Sequence, residues 1–260
     1  MVPTATASHI AISGAGSGIG RAIALRLAAG GARLSLFARR EDQLAQTARR
    51  CELAGARAVV TRACDITESE RVERVFEDFA REHGPLTALI ANAGIGGSNS
   101  PGPQDRFEEL VRTNLLGTYT TLCAARRHLA PGPDARHLVV IGSILARIGV
   151  AHYSGYCASK AGLLGLVRAL AVELAPLNVQ VNAICPGWVE TDMAWQGIDG
   201  MAQAIGVTRE VAHELAMKMV PLGRMASPED VAGMVAWLVS ADARGVTGQG
   251  LDMNGGGFMH

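Results

Sequence analysis

The feature that most restricts the fold of this 260-residue chain is a regular alternation. Short apolar runs rich in β-branched residues are each followed by a longer stretch of helical period. The runs are HIAIS (9–13), RLSLF (33–37), RAVVT (57–61), LTALIA (86–91), HLVVIGS (137–143), VQVNAI (179–184) and a last short one at GLDM (250–253). Helical stretches occupy about 18–29, 41–54, 67–83, 104–130, 152–175 and 228–239. Parallel strands need long crossover connections, which helices supply, and right-handed crossovers stack those helices on both faces. The expected fold is α/β: one doubly wound, seven-stranded parallel sheet with a ligand crevice at the carboxyl ends of its strands. No repeat, low-complexity tract or linker interrupts the pattern, so residues 1–260 are expected to form one domain. Only the segment 188–222 breaks the alternation. It follows a strand end and carries Trp188, Met193, Trp195, Ile198, Met201 and Ile205, the composition of a lid over the crevice.

The charge balance of 24 basic against 24 acidic residues removes a general electrostatic case for nucleic acid or an anionic membrane. No apolar run reaches membrane-spanning length, and MVPTATASHI has neither a basic nor an apolar leader region, so a soluble cytoplasmic protein is expected. Cys51, Cys64, Cys123, Cys157 and Cys185 are odd in number and lack CxxC or Cys/His spacing. Reduced thiols and no metal site follow.

Directly after the first run stands SGAGSGIG, with Gly14, Gly16, Gly18 and Gly20, and a helix begins at once. Glycines there let backbone N–H groups approach a pyrophosphate at a helix N-terminus. The spacing Gly-x-x-x-Gly-x-Gly differs from the commoner Gly-x-Gly-x-x-Gly. At the end of the second strand an acid would grip a ribose 2′-hydroxyl, but this chain reads Phe37-Ala38-Arg39-Arg40 and its first acid is Glu41. Arginine suits a 2′-phosphate, which favours NADP(H) over NAD(H).

Lysine occurs only twice, at Lys160 and Lys218, in a chain whose Lys+Arg total is 24. An ammonium is a compact charge with three rotatable donors, whereas a guanidinium is a wide planar fork. Position 160 is therefore expected to need the smaller head. Tyr156 precedes it by four residues in YSGYCASKAG, so the two share a helix face. Tyr153, two turns away, lies about 10 Å along the axis.

With these residues the chain resembles the short-chain dehydrogenase/reductase family in its single-domain form. The resemblance runs through SGAGSGIG, CDIT at Asp65, NAG at 92–94, Asn114 in RTNLLG, Ser143 in VVIGS, YCASK, PGWVET at 186–191 and TGQGLDMNGG. The first-loop threonine common in the family is Ser13 here, which keeps the hydroxyl. The resemblance implies a Rossmann-type domain that binds a nicotinamide dinucleotide. Tyr156 would be the proton donor, or the base in the oxidative direction, and Ser143 would orient the carbonyl. Lys160 would favour the phenolate and bind the nicotinamide ribose, and Asn114 would hold a water linking the lysine to solvent. Ser13, Gly14, Ser17, Gly18, Ile19, Gly20, Arg39 and Arg40 would take the phosphate end. Asp65 and Ile66 would meet adenine, Asn92, Ala93 and Gly94 the ribose side, and Pro186, Gly187, Val189 and Thr191 the carboxamide.

Within the family the pattern is similar to 3-oxoacyl-thioester reductases and the ketoreductases of aromatic polyketide synthesis. The shared stretches are ARRED, GVAH, PGWVETDMA and VPLGRMASPEDVA. This implies NADPH-dependent reduction of a ketone to a secondary alcohol, with Ser143, Tyr153, Trp188, Met193 and Trp195 toward the substrate. The alternatives are an alcohol dehydrogenase working oxidatively and a non-catalytic nucleotide sensor. A substrate tethered to CoA or an acyl carrier protein would bring Arg126 and Arg127 into play. Relatives are commonly homotetramers, and AGLLGLVRALAVELA fits a helix buried on more than one face.

Overall fold

A computed structural model describes residues 8–259; residues 1–7 and 260, part of the expected domain, lie outside the described residues. All seven apolar runs become strands: β1 (His9–Ser13), β2 (Arg33–Ala38), β3 (Ala58–Ala63), β4 (Ala88–Ala91), β5 (Arg136–Ile141), β6 (Val179–Pro186) and β7 (Gly250–Met253). They form one parallel sheet in the order β3-β2-β1-β4-β5-β6-β7. The strand order reverses at β1, which pairs with β2 on one side and β4 on the other, and the crevice opens at the carboxyl ends there.

The helices are α1 (Gly18–Ala28), α2 (Glu41–Leu53), α3 (Ser69–His83), α4 (Phe107–Val111), α5 (Thr118–Arg127), α6 (Ser154–Leu174), α7 (Asp192–Ile205), α8 (Arg209–Lys218) and α9 (Pro228–Leu238). Successive strand residues point to opposite faces, so a central strand must be apolar on both. Ile10, Ile12, Leu34, Leu36, Ile90 and Val139 accordingly pack against Ile23, Leu27, Val231 and Val235 of α1 and α9. Phe37, Leu89, Leu138, Val140 and Val181 join Phe76, Phe79, Leu122, Leu163 and Val167 of α3, α5 and α6 on the other face.

Two features depart from the expected elements. The stretch expected as one helix over 104–130 contains a π-helical turn, Arg112–Gly117, between α4 and α5. The lid is a pair of helices, α7 and α8, with their own small core of Ala194, Ile198, Ala202, Ala212, Ala216 and Met217. Its two ends are fastened together: Ala226 N–H donates to Trp188 O and Glu190 N–H to Ala226 O, both at 2.9 Å. The lid is therefore a closed excursion rooted at the end of β6.

Candidate active site

The glycine turn is shaped by close backbone approach. Gly14 and Gly18 have φ of +65° and +51°, values that glycine adopts without strain. A Cβ on Gly20 would lie 2.2 Å from Gly14 O, and one on Gly14 would lie 2.9 Å from Ala93 Cα. Ser13 Oγ accepts hydrogen bonds from Asn92 N and Ala93 N, both 2.9 Å, and Asn92 Nδ2 donates to Ser13 O and Gly14 O. The side chains of Ser13 and Asn92 thus brace the turn against the end of β4.

At the start of α1, Ser17 makes no side-chain cap and the first turn carries no acid. Its N–H groups face the crevice without an internal anion, which suits a phosphate. Ile19 is half-buried against the α1 side of the core. At the end of β2, Arg40 Nη2 donates to Ser17 Oγ at 3.4 Å, and exposed Arg39 reaches to 4.0 Å from Asp65. Asp65 Oδ1 accepts from Thr67 N and Thr67 Oγ1, while Ile66 is buried and faces Gly117 of the π turn. Pro186 ends β6, Gly187 N–H donates to Met253 O, and Val189 is buried. Thr191 caps α7 through Ala194 N, and its methyl group would lie 3.2 Å from a Cβ on Gly18. Residues expected to meet a dinucleotide thus stand together in pairs, Ser17 with Arg40, Gly14 with Ala93 and Gly18 with Thr191, around a cradle too tight at Gly14 and Gly20 for any side chain. A nicotinamide dinucleotide fits this cradle.

The chemical end gathers at β5 and α6. The Tyr156 phenol is influenced by the neighbouring Ser143 hydroxyl, whose Oγ accepts from Leu145 N at 3.1 Å. Lys160 is 5% exposed and donates from Nζ to Ile141 O at 2.9 Å, with Nζ 5.7 Å from the Tyr156 ring centroid. Asn114, fully buried in the π turn, accepts from Ile95 N and donates to Ile95 O and Ser159 Oγ. The π turn carries Asn114 to the crevice, a frequent use of such irregularities at functional sites.

The environment of Tyr156 is set mainly by burial. Burial raises the Tyr156 phenol above its ordinary value, and the neighbouring Ser143 hydroxyl opposes it less strongly. Burial is also the main cause that lowers the Lys160 ammonium from 10.5 to about 8, with Cys185 opposing. Burial thus favours the neutral phenol, the form that can give a proton to a ketone oxygen.

Between about pH 8 and 10 the unfolded chain holds the lysine proton that the folded chain has lost, so stability from this group rises with pH there. Below about 8 both states are protonated and the contribution is flat; above 10 the raised Tyr156 acts in the opposite sense. Urea midpoints are expected to rise from pH 8 to 10 in wild type relative to Lys160→Met, and equal slopes in the two proteins would contradict this titration.

The expected substrate residues separate into two groups. Tyr153 immediately precedes α6 beside Tyr156, and Met193 overhangs Gly96, where an added Cβ would lie 3.0 Å from its sulfur. Trp188 and Trp195 pack into the lid's own core, and Trp195 stacks near His213 at 5.2 Å with the Arg209 guanidinium over it. Of the five cysteines, Cys185 stands close to the chemistry. It is fully buried behind Gly142, where an added Cβ would lie 3.2 Å from its sulfur. The inward alternation along β6 was the signal that could have found it.

A doubly wound sheet with this cradle, a Ser–Tyr pair and a buried lysine defines a nicotinamide-dependent oxidoreductase acting between CH–OH and C=O. Residues 14–257 match the family described as enoyl-(acyl carrier protein) reductase, and the chain belongs to the short-chain dehydrogenase/reductase family. It is 37% identical over 250 residues to granaticin polyketide synthase putative ketoacyl reductase 1 of Streptomyces violaceoruber, covering 94% of this chain and 91% of that one. A variant of actinorhodin polyketide ketoreductase, solved with NADPH, has a TM-score of 0.88 at 34% identity over 96% of this chain and 97% of that one. Carveol dehydrogenase from Mycobacterium avium, solved with NAD, has a TM-score of 0.91 at 26% identity over 98% of both chains. Among the described residues no helix is long and apolar enough to cross a membrane, and no cluster of three or more potential ligands could hold a metal ion.

Proposed function

We propose that this chain is an NADPH-dependent reductase that converts a ketone of a 3-oxoacyl thioester or polyketide-like compound to a secondary alcohol. The observation that carries the reading is the grouping of the Tyr156 phenol with the Ser143 hydroxyl and with buried Lys160, whose Nζ lies 5.7 Å from the Tyr156 ring centroid. Ser143 and Tyr156 offer two hydroxyls to one carbonyl oxygen, as charge developing on that oxygen requires. Bound in the cradle, the dinucleotide supplies the hydride to the carbonyl carbon. Tyr156 passes its proton to the oxygen, and Lys160, tied to Ile141 O, holds the positive charge beneath it. A carbonyl fits this pair better than the carbon–carbon double bond in the family description. The ketoacyl reductase relative and the NADPH-bound ketoreductase support the substrate class and the cofactor.

NADPH oxidation assayed with acetoacetyl-CoA, longer 3-oxoacyl thioesters and bicyclic ketones tests the proposal, and activity confined to NAD with simple alcohols would overturn it. The carveol dehydrogenase likeness favours that second reading, oxidation of an alcohol with NAD. Arg39 separates the two. Its guanidinium stands within 4.0 Å of only one carboxylate, exposed to solvent, where a 2′-phosphate could join it. Arg39→Ala is expected to lower kcat/KM for NADPH by about 10- to 100-fold, the worth of a charge-assisted hydrogen bond, and to leave NADH nearly unchanged. An equal loss with both cofactors would remove the 2′-phosphate role. Contact with a carrier protein finds little support in Arg126 and Arg127, since each is already ion-paired, to Glu173 and Glu73.

A further inference from the structure

Tyr156 occupies an early position in its helix: it is the third residue of α6, in the turn where helices fray. The residue at the N-cap position, Tyr153, makes no side-chain cap. The missing cap arrives from elsewhere in the chain. Asn99, 7% exposed in the loop after β4, accepts the Gly155 N–H on Oδ1 at 2.8 Å. Its Nδ2 donates to Asp105 Oδ1 and to Ser154 Oγ, both at 3.1 Å, and its own N–H donates to His152 O at 2.7 Å. The carboxylate on one side and the amide N–H on the other fix which way the Asn99 amide faces.

Asp105 Oδ1 also accepts Phe107 N at 3.0 Å, at the start of α4. The two helix starts are in close contact, since a Cβ on Gly155 would lie 3.0 Å from Phe107 Cα. One Asn–Asp pair therefore ties the first turns of α4 and α6 together. Three residues upstream, the same loop passes under Met193 of the lid at Gly96.

We infer that Asn99 is a positioning residue for Tyr156, capping the catalytic helix from the crevice loop so that the phenol keeps its place beside Ser143. The inference rests on the proposed role of Tyr156 as proton donor. It is tested on the full chain by Asn99→Ala, by Asn99→Asp, and by the swap Asn99→Asp with Asp105→Asn. In the swap a carboxylate accepts the Gly155 N–H and the new amide at 105 both donates to it and accepts Phe107 N, so the network is restored. Asn99→Asp alone sets two carboxylates against each other.

Hydrogen exchange is read first, without substrate. Asn99→Ala is expected to speed exchange at 154–157 by about tenfold or more while the sheet and the rest of α6 keep wild-type protection. In turnover its kcat falls by about 10- to 100-fold, as expected for a misplaced acid, with KM for NADPH within about twofold. The swap recovers both readouts, and Asn99→Asp alone does not. Unchanged exchange at 154–157 in Asn99→Ala, or equal losses in Asn99→Asp and the swap, would overturn the inference. Loss of protection throughout the chain would also overturn it, by showing a purely structural role. A wild type that reduces no ketone would defeat the functional reading, while the exchange measurement still decides whether Asn99 holds the turn.

Discussion

Lys160→Arg is expected to lower kcat for ketone reduction by about 10²- to 10⁴-fold, the range for losing a positioned acid–base group, while the far-UV circular dichroism stays that of wild type. The charge is conserved, so the effect isolates shape. Lys160 Nζ sits 2.9 Å from Ile141 O and would lie 3.7 Å from a Cβ on Gly94, in a space closed by β5, the crevice loop and Tyr156. A guanidinium brings five donors and a planar fork to a place that has one backbone carbonyl for it. Its surplus donors would be buried without partners or would push Tyr156 away from Ser143. Turnover near wild type in this variant would show that charge alone is required and would undo the account of the site.

Gly20→Ala is expected to raise the dissociation constant for NADPH by about 100-fold, equivalent to about 2.7 kcal/mol, and to destabilise the chain by ~1–3 kcal/mol. Helix propensity argues the opposite, because alanine in α1 would stabilise a free helix by about 1 kcal/mol. The structure decides the sign: the new Cβ would lie 2.2 Å from Gly14 O and 2.6 Å from Asn92 Nδ2, and neither backbone nor brace can yield cheaply. Gly200→Ala in α7, where nothing lies within 4 Å, serves as the control and should gain the propensity term. Fluorescence titration with NADPH and urea melts of both variants check the pair of signs. Tight NADPH binding by Gly20→Ala would mean that the turn is looser than its geometry implies.

Most of the frame was legible because it rests on local rules. Apolar runs of strand length separated by helix-length stretches restrict a chain to a parallel sheet, and β1, β6 and β7 begin where their residues predict. Glycines between β1 and α1 and arginines at the end of β2 pointed to a dinucleotide, Tyr156 and Lys160 stood out as a pair by their spacing, and the resemblance to the family gave Tyr156 its role as proton donor. The lid was recognised by its composition, yet its two helices were not, since small residues mixed with tryptophan carry no clear period.

What sequence by itself determined, then, was the order of elements and the chemical identity of the groups, both written in contacts between near neighbours. Only the tertiary structure decided how distant groups share one site. It placed Asn114 through a π turn, set Cys185 behind Ser143, and turned Trp188 and Trp195 into the lid's own packing. It also assigned the cap of the catalytic helix to Asn99, more than fifty residues earlier in the chain. The upward push that burial gives the Tyr156 phenol belongs to the same class, because desolvation depends on what surrounds a group from every side. Such effects arise between residues far apart in sequence, where no local pattern records which partner the fold will bring.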